Sequence, residues 1–112
     1  MFASVRSYAG ATPETIDSLC AREGEVRAVL ASVPGTRGGH VIRSRDGVIV
    51  VALGADERSV MESSRRFVAW CKRHVIAFGD LPAPEVWAGD VLIELSIPDA
   101  AVTRPPAVGG CP

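Results

Sequence analysis

The sequence predicts an α+β fold of the ferredoxin-like type. This is a four-stranded antiparallel sheet with two helices on one face, in the order βαββαβ. Three observations carry this reading. The run Gly47-Val48-Ile49-Val50-Val51-Ala52-Leu53-Gly54 is apolar, rich in β-branched residues and bounded by glycine, the pattern of a strand buried on both faces. The alternating run His40-Val41-Ile42-Arg43-Ser44 precedes it across Arg45-Asp46-Gly47, and Asp-Gly marks a tight hairpin turn. Helix starts stand on either side of that hairpin, at Thr12-Pro13-Glu14 and Ala55-Asp56-Glu57. Right-handed crossovers then put both helices on one face and make strands one and three central.

The elements follow in order. Phe2 to Tyr8 alternates weakly and predicts the first strand. Thr12 can cap a helix, Pro13 suits its first position and Glu14 favours its positive end. Ile16, Leu19, Cys20, Val26, Leu30 and Val33 then recur at helical spacing, which predicts one helix, weakened at Gly24 and stopped by Pro34-Gly35. After the hairpin, Val60, Ser64, Phe67, Val68, Cys71 and Val75 form the inward stripe of a second helix whose basic residues fall late, as the dipole prefers. Leu81-Pro82-Ala83-Pro84 is a stiff connector. Val86-Trp87 and Val91-Leu92-Ile93-Glu94-Leu95 predict the last strand, bent or bulged at Gly89. Residues 1–97 are thus one domain, and residues 98–112, with Pro-Pro, Gly-Gly and few large side chains, read as a flexible tail.

Composition narrows the function. The formal charge of −1 provides no footprint for nucleic acid or an anionic membrane surface. No apolar run approaches the roughly 18 residues of a membrane span. Met1-Phe2-Ala3-Ser4-Val5-Arg6 lacks the basic-then-apolar pattern of a secretory signal. Cys20, Cys71 and Cys111 form no CxxC pair, so neither a disulfide framework nor a zinc site is expected, and a reduced cytoplasmic protein is. No HExxH, GxSxG, P-loop or paired-acid constellation is present, and Gly35-x-x-Gly38-Gly39 precedes a strand, not the helix a dinucleotide fingerprint requires. No cofactor is expected on these grounds. Bases would need aromatic platforms in the central strands, and Val48 to Leu53 has none.

The third strand also predicts assembly. Val48, Val50 and Ala52 point one way, and Ile49, Val51 and Leu53 the other. Two helices cover one face only, and an apolar second face in water calls for a partner. Covering several hundred Å² at about 25 cal/mol per Å² gains several kcal/mol before association costs. A homodimer joined sheet to sheet is the simple answer; a tail folding back with Ile97, Val102 and Val108 is the alternative.

The first strand, the segment Val33-Pro34-Gly35-Thr36-Arg37-Gly38-Gly39 entering strand two, the hairpin and the Asp56-Glu57 helix start together resemble the dimeric α+β-barrel proteins. Within them the chain is most similar to the antibiotic-biosynthesis-monooxygenase-like (ABM) group, over about residues 2–95. The resemblance implies a homodimer with a ligand pocket between each sheet and its helices, binding a small apolar organic molecule. The activities it implies include cofactor-independent monooxygenation of an aromatic or polyketide-like substrate and, in another branch, haem degradation. A non-catalytic dimeric binding or structural module is the other class. The haem-degrading branch typically uses an Asn on strand one and a Trp ending strand three, where this chain has Ser7 and Leu53-Gly54.

Candidate site residues are few. His74 follows Trp70 by four residues and Cys71 by three, so the three side chains share or adjoin a helix face. His74 reads as a catalytic base or, by the resemblance, a haem ligand beside Trp70; alternatively it is a solvated residue at a helix C-terminus. Cys71 reads as a small buried hydrophobe. His40 begins strand two beside Gly38 and Gly39, where a ligand can approach backbone, or is merely exposed at a strand end. Arg6 and Tyr8 alternate onto one face of strand one. Arg6 is the candidate to anchor a substrate carboxylate or enolate, with an inter-subunit salt bridge as the alternative. Tyr8, His40 and Trp70 are the expected pocket residues.

Overall fold

The computed structural model describes residues 1–75, 81–95 and 97. Its elements are β1 (Phe2–Ala9), α1 (Pro13–Ala21), α2 (Glu23–Ala31), β2 (Thr36–Arg43), β3 (Gly47–Gly54), α3 (Glu57–His74) and β4 (Glu85–Asp90). The strands form one antiparallel sheet in the order β2-β3-β1-β4, so β1 and β3 are central, as the crossover rule requires. The expected tail at 98–112 lies outside the described residues. No described helix is long and apolar enough to cross a membrane.

Register divides the side chains of the sheet between two faces. Tyr8 pairs with Val48, Arg6 with Val50 and Ser4 with Ala52, and these residues lie beneath the helices. Val48 is fully buried, and Phe67 and Cys71 of α3 pack with it and Tyr8 in one core cluster. Val5, Ser7, Ile49, Val51 and Leu53 alternate onto the opposite face, where they are only half-buried. Ile42 and Trp87 share that face by register, opposite Ile49 and Val5, and both are exposed. The two-faced character of β3 is therefore real, and one face is open among the described residues.

Four expectations need correcting. The helix expected from Pro13 to Val33 is two helices, broken at Arg22, whose φ of −113° and ψ of 27° are not helical. The Arg22 amide donates to Leu19 at 3.1 Å, and Glu23 and Glu25 then open α2, where negative charge suits the dipole. The break precedes Gly24; it does not fall on it. Gly47 is not a turn residue with positive φ. It is the first residue of β3, and a Cβ there would collide with the Tyr8 carbonyl oxygen, so close approach of β1 dictates the glycine. Finally, the last strand ends at Asp90. Gly89 pairs in regular register with Ala3, and the irregularity sits in β2 between Thr36 and Gly38. The Val91 amide donates to the Met1 carbonyl at 2.8 Å, and no later cross-strand bond is present among the described residues. Leu92, Ile93 and Leu95 are accordingly exposed.

The helix layer is held at its ends. Asp56 caps α3, accepting from the Ser59 amide at 2.8 Å while its own amide donates to Ser59 Oγ at 3.3 Å, a reciprocal capping box. Glu62 accepts from Arg65 at 2.6 Å and Arg66 at 2.9 Å. Arg66 also donates to Ser32 Oγ at 3.0 Å, which ties the end of α2 to α3.

Two substitutions separate the roles of glycine. Gly47→Ala is expected to cost about 1–3 kcal/mol in urea unfolding, because a backbone atom must move. Gly24→Ala meets open space in a helix and is expected to stabilise by about 0.5–1 kcal/mol. The two guanidinium groups hold the Glu62 carboxyl down to about 2. A depressed carboxylate stabilises above its unfolded pKa and loses that contribution as pH falls through its folded one. The Glu62 contribution therefore fades between about pH 4.5 and about 2. Glu62→Gln should flatten the melting-temperature profile in that window; an unchanged acid limb would refute the linkage.

Candidate functional site

The sheet has four strands, and its helices do not cover them evenly. The residues α3 buries, among them Val60, Ser63, Phe67 and Cys71, cover the central strands. On β2, register turns Thr36, Gly39, Val41 and Arg43 to the helix side, opposite Gly54, Ala52, Val50 and Val48. Val41 is nonetheless 45% exposed, because α1 and α2 stand away from it. Gly39 contributes no side chain, and a Cβ there would sit 2.5 Å from the Val51 carbonyl oxygen. Across from it Ala52 is small. The result is a cavity of about 480 Å³ between α1–α2 and β2–β3, a volume suited to a small organic molecule.

Its walls are apolar: Leu19, Val26 and Leu30 from the helices, Val48 and Val50 from β3, and Phe67 from α3. Its border is cationic. Arg27, Arg37 and Arg43 meet it, against the single carboxylate of Glu23. Arg27 is 3.8 Å from Glu23. Arg37 and Arg43 make no ion pair with a described residue. Thr36 also borders the cavity, and its Oγ1 is buried with no hydrogen-bond partner among the described residues. Such a border favours an anionic group on an otherwise apolar molecule.

Of the residues singled out from the sequence, only His40 borders this cavity. It lies at the edge strand, opposite Val51 and therefore towards the open face. Arg6 and Tyr8 do share the helix side of β1, opposite Val50 and Val48. Those two valines stand between them and the cavity. Burial pushes the Tyr8 phenol up, and the Arg6 guanidinium partly offsets this by charge and hydrogen bonding. The Nε of Arg6 is buried without a partner among the described residues.

The structure does bring Trp70 and His74 together, with ring centroids 5.4 Å apart and planes tilted by 39°. Trp70 belongs to the core cluster, while His74 is exposed at the end of α3. Neither borders the cavity. A haem placed there would find no imidazole from α3, so these residues do not fit that group. Cys71 is a free buried thiol, pushed up to about 12 by burial, and is inert as expected. Cys20 is disulfide-bonded, which corrects the expectation of a fully reduced chain; bridging depends on spatial proximity, which spacing along the sequence does not reveal. The cavity residues Thr36, Arg37 and Arg43 escaped sequence reasoning. Their one signal was the glycine pair Gly38-Gly39 beside them, which made room on β2.

No family model and no curated protein matches the chain. Solved structures do. A mutant of MhuD, determined with two manganese protoporphyrin IX bound per active site, superposes with a TM-score of 0.63 at 12% identity, over 86% of this chain and 99% of that one. SnoaB, a cofactor-independent oxygenase from Streptomyces nogalater, gives a TM-score of 0.53 at 17% identity over 84% and 93% of the two chains. The monooxygenase ActVA-Orf6 of Streptomyces coelicolor, in complex with nanaomycin D, gives 0.51 at 19% identity over 83% and 91%. At these identities the likeness is one of fold: the four-stranded antiparallel sheet and its helices have the ferredoxin-like α+β architecture of these ABM-domain structures.

Proposed function

We propose that this protein binds a small, largely apolar organic molecule of aromatic or polyketide type in the cavity between α1–α2 and β2–β3, and oxidises it with molecular oxygen without a cofactor. The observation that carries the reading is the cavity itself, apolar in its walls and cationic at its border. The fold it shares with SnoaB and ActVA-Orf6 supports the reaction class. In such chemistry the substrate supplies its own electrons: an anthrone-type C–H loses its proton, the carbanion takes up O₂ and the proton as a hydroperoxide, and cleavage of the O–O bond with loss of the remaining C–H proton leaves a quinone and water. The walls exclude solvent, and in that low-dielectric space a guanidinium stabilises the developing enolate more strongly than water would. Arg37 and Arg43, which have no described carboxylate partner, are the groups for that role.

Oxygen uptake with anthrone and dihydroxynaphthalene substrates tests the reaction. Leu30→Trp fills the cavity and is expected to abolish binding and uptake while the protein remains folded by circular dichroism. Binding without uptake would leave a non-catalytic module as the better account. A one-to-one Soret shift with haemin, lost in His74→Ala, would replace the reading with a haem protein.

The open face supports a homodimer. Ile42, Ile49, Val51 and Trp87 form an apolar surface on it, with Trp87 55% exposed. Sedimentation at micromolar concentration is expected to give twice the chain mass. Val51→Asp should dissociate or unfold the protein, since an unpaired buried charge costs several kcal/mol. A wild-type monomer would refute this assembly.

A further inference from the structure

We infer that the cavity's ligand is a carboxylic acid, held at the start of β2 by the Thr36 hydroxyl and the Arg37 guanidinium, with its apolar body lying along Leu30, Val41, Val50 and Phe67. The inference rests on the cavity being the binding site and adds the chemical class of what enters it.

Three independent features point to this end of the cavity. Thr36 Oγ1 is buried with no partner among the described residues, although it borders the cavity. A buried hydroxyl is ordinarily satisfied, and an orphan one costs the fold free energy. A ligand acceptor atom at the cavity's edge would satisfy it. Arg37 is the residue adjoining it, placed in the register irregularity between Thr36 and Gly38, where the strand steps out of its regular alternation. Arg37 borders the same cavity and makes no ion pair with a described residue. A hydroxyl donor beside a planar guanidinium fork suits the two coplanar oxygens of a carboxylate.

The opposite end is less suited. Arg43 lies seven residues beyond Thr36 along β2, about 23 Å at the strand rise. Between the ends the helix side of β2 offers only Gly39 and Val41, and the facing walls are aliphatic or aromatic. The cavity thus has an apolar length, and the unsatisfied hydroxyl lies at its Thr36–Arg37 end, an arrangement that suits an amphipathic acid.

The probes are anthracene-2-carboxylate, its methyl ester, and 2-(aminomethyl)anthracene, followed by fluorescence titration at low salt. The acid is expected to bind at least tenfold tighter than the ester, and the amine weakest. Thr36→Val removes the hydroxyl with little change of shape. It is expected to weaken the acid about tenfold, leave the ester unchanged, and leave the ligand-free melting temperature equal or higher, because an unsatisfied buried group has gone. Arg37→Gln should weaken the acid about tenfold and flatten its salt dependence. Acid and ester binding alike, or acid binding indifferent to both variants, overturns the inference while leaving the cavity as the site. If none of the three probes binds, the site assignment falls with it.

Discussion

The pairing of β3 with β1 is the constraint on which the rest depends. These two strands have neighbours on both edges, so neither can shift without breaking two ladders, and a slip of one residue would turn Val48 and Val50 out of the core. The approach at their end is so close that Gly47 can carry no side chain against the Tyr8 carbonyl. Over this pair lies α3, whose Phe67 and Cys71 pack with Val48 and Tyr8. Side chains longer than serine would find little room at Ser59, Ser63 and Ser64, all buried along α3. Helix and central strands therefore form one dense block.

The cavity follows from what that block leaves over. One long helix occupies the centre, so the sheet's β2 side must be roofed by α1 and α2. The break at Arg22 makes that roof two short helices in place of one straight rod. Its fastening is at one end: Arg66 of α3 reaches Ser32 just past α2. No comparable bond between α1 and β2 is present among the described residues. Space therefore opens where Gly39 and Ala52 contribute least side chain. Close packing of one half and looseness of the other are two results of a single layout.

Much of this was legible from the residues. β-Branched alternation on both faces of Val48 to Leu53 revealed the central strand and its open second face, and the stripe from Val60 to Val75 revealed the face α3 buries. Asp56 and Thr12 announced their caps, which the structure realises through Ser59 and Thr15. The failures share a cause. The Arg22 break, the end of β4 at Asp90 and the reason for Gly47 all depend on where another strand or helix begins or passes. Residue type does not encode that locally. Val91 to Leu95 has every property of a strand except a neighbouring strand among the described residues.

The site was harder to read for a related reason. Arg6, Tyr8, Trp70 and His74 attract notice because each is chemically distinctive, and the fold does bring Arg6 beside Tyr8 and Trp70 beside His74. Yet distinctive residues in the centre of a small domain are consumed by packing. Trp70 joins the core, and Tyr8 lies beneath α3 with its phenol pushed up by burial. Ligand space in this fold arises at the edge strand, where the helices fit least well, and the residues there are unremarkable in sequence: a threonine, two arginines and two glycines. What marks Thr36 is a buried hydroxyl with no hydrogen-bond partner among the described residues, and what marks Arg37 is the lack of a described carboxylate beside it. Both are properties of the folded chain. A polar group left unsatisfied in a small, marginally stable domain costs stability, and placing it at the mouth of a cavity turns that cost into affinity for whatever satisfies it.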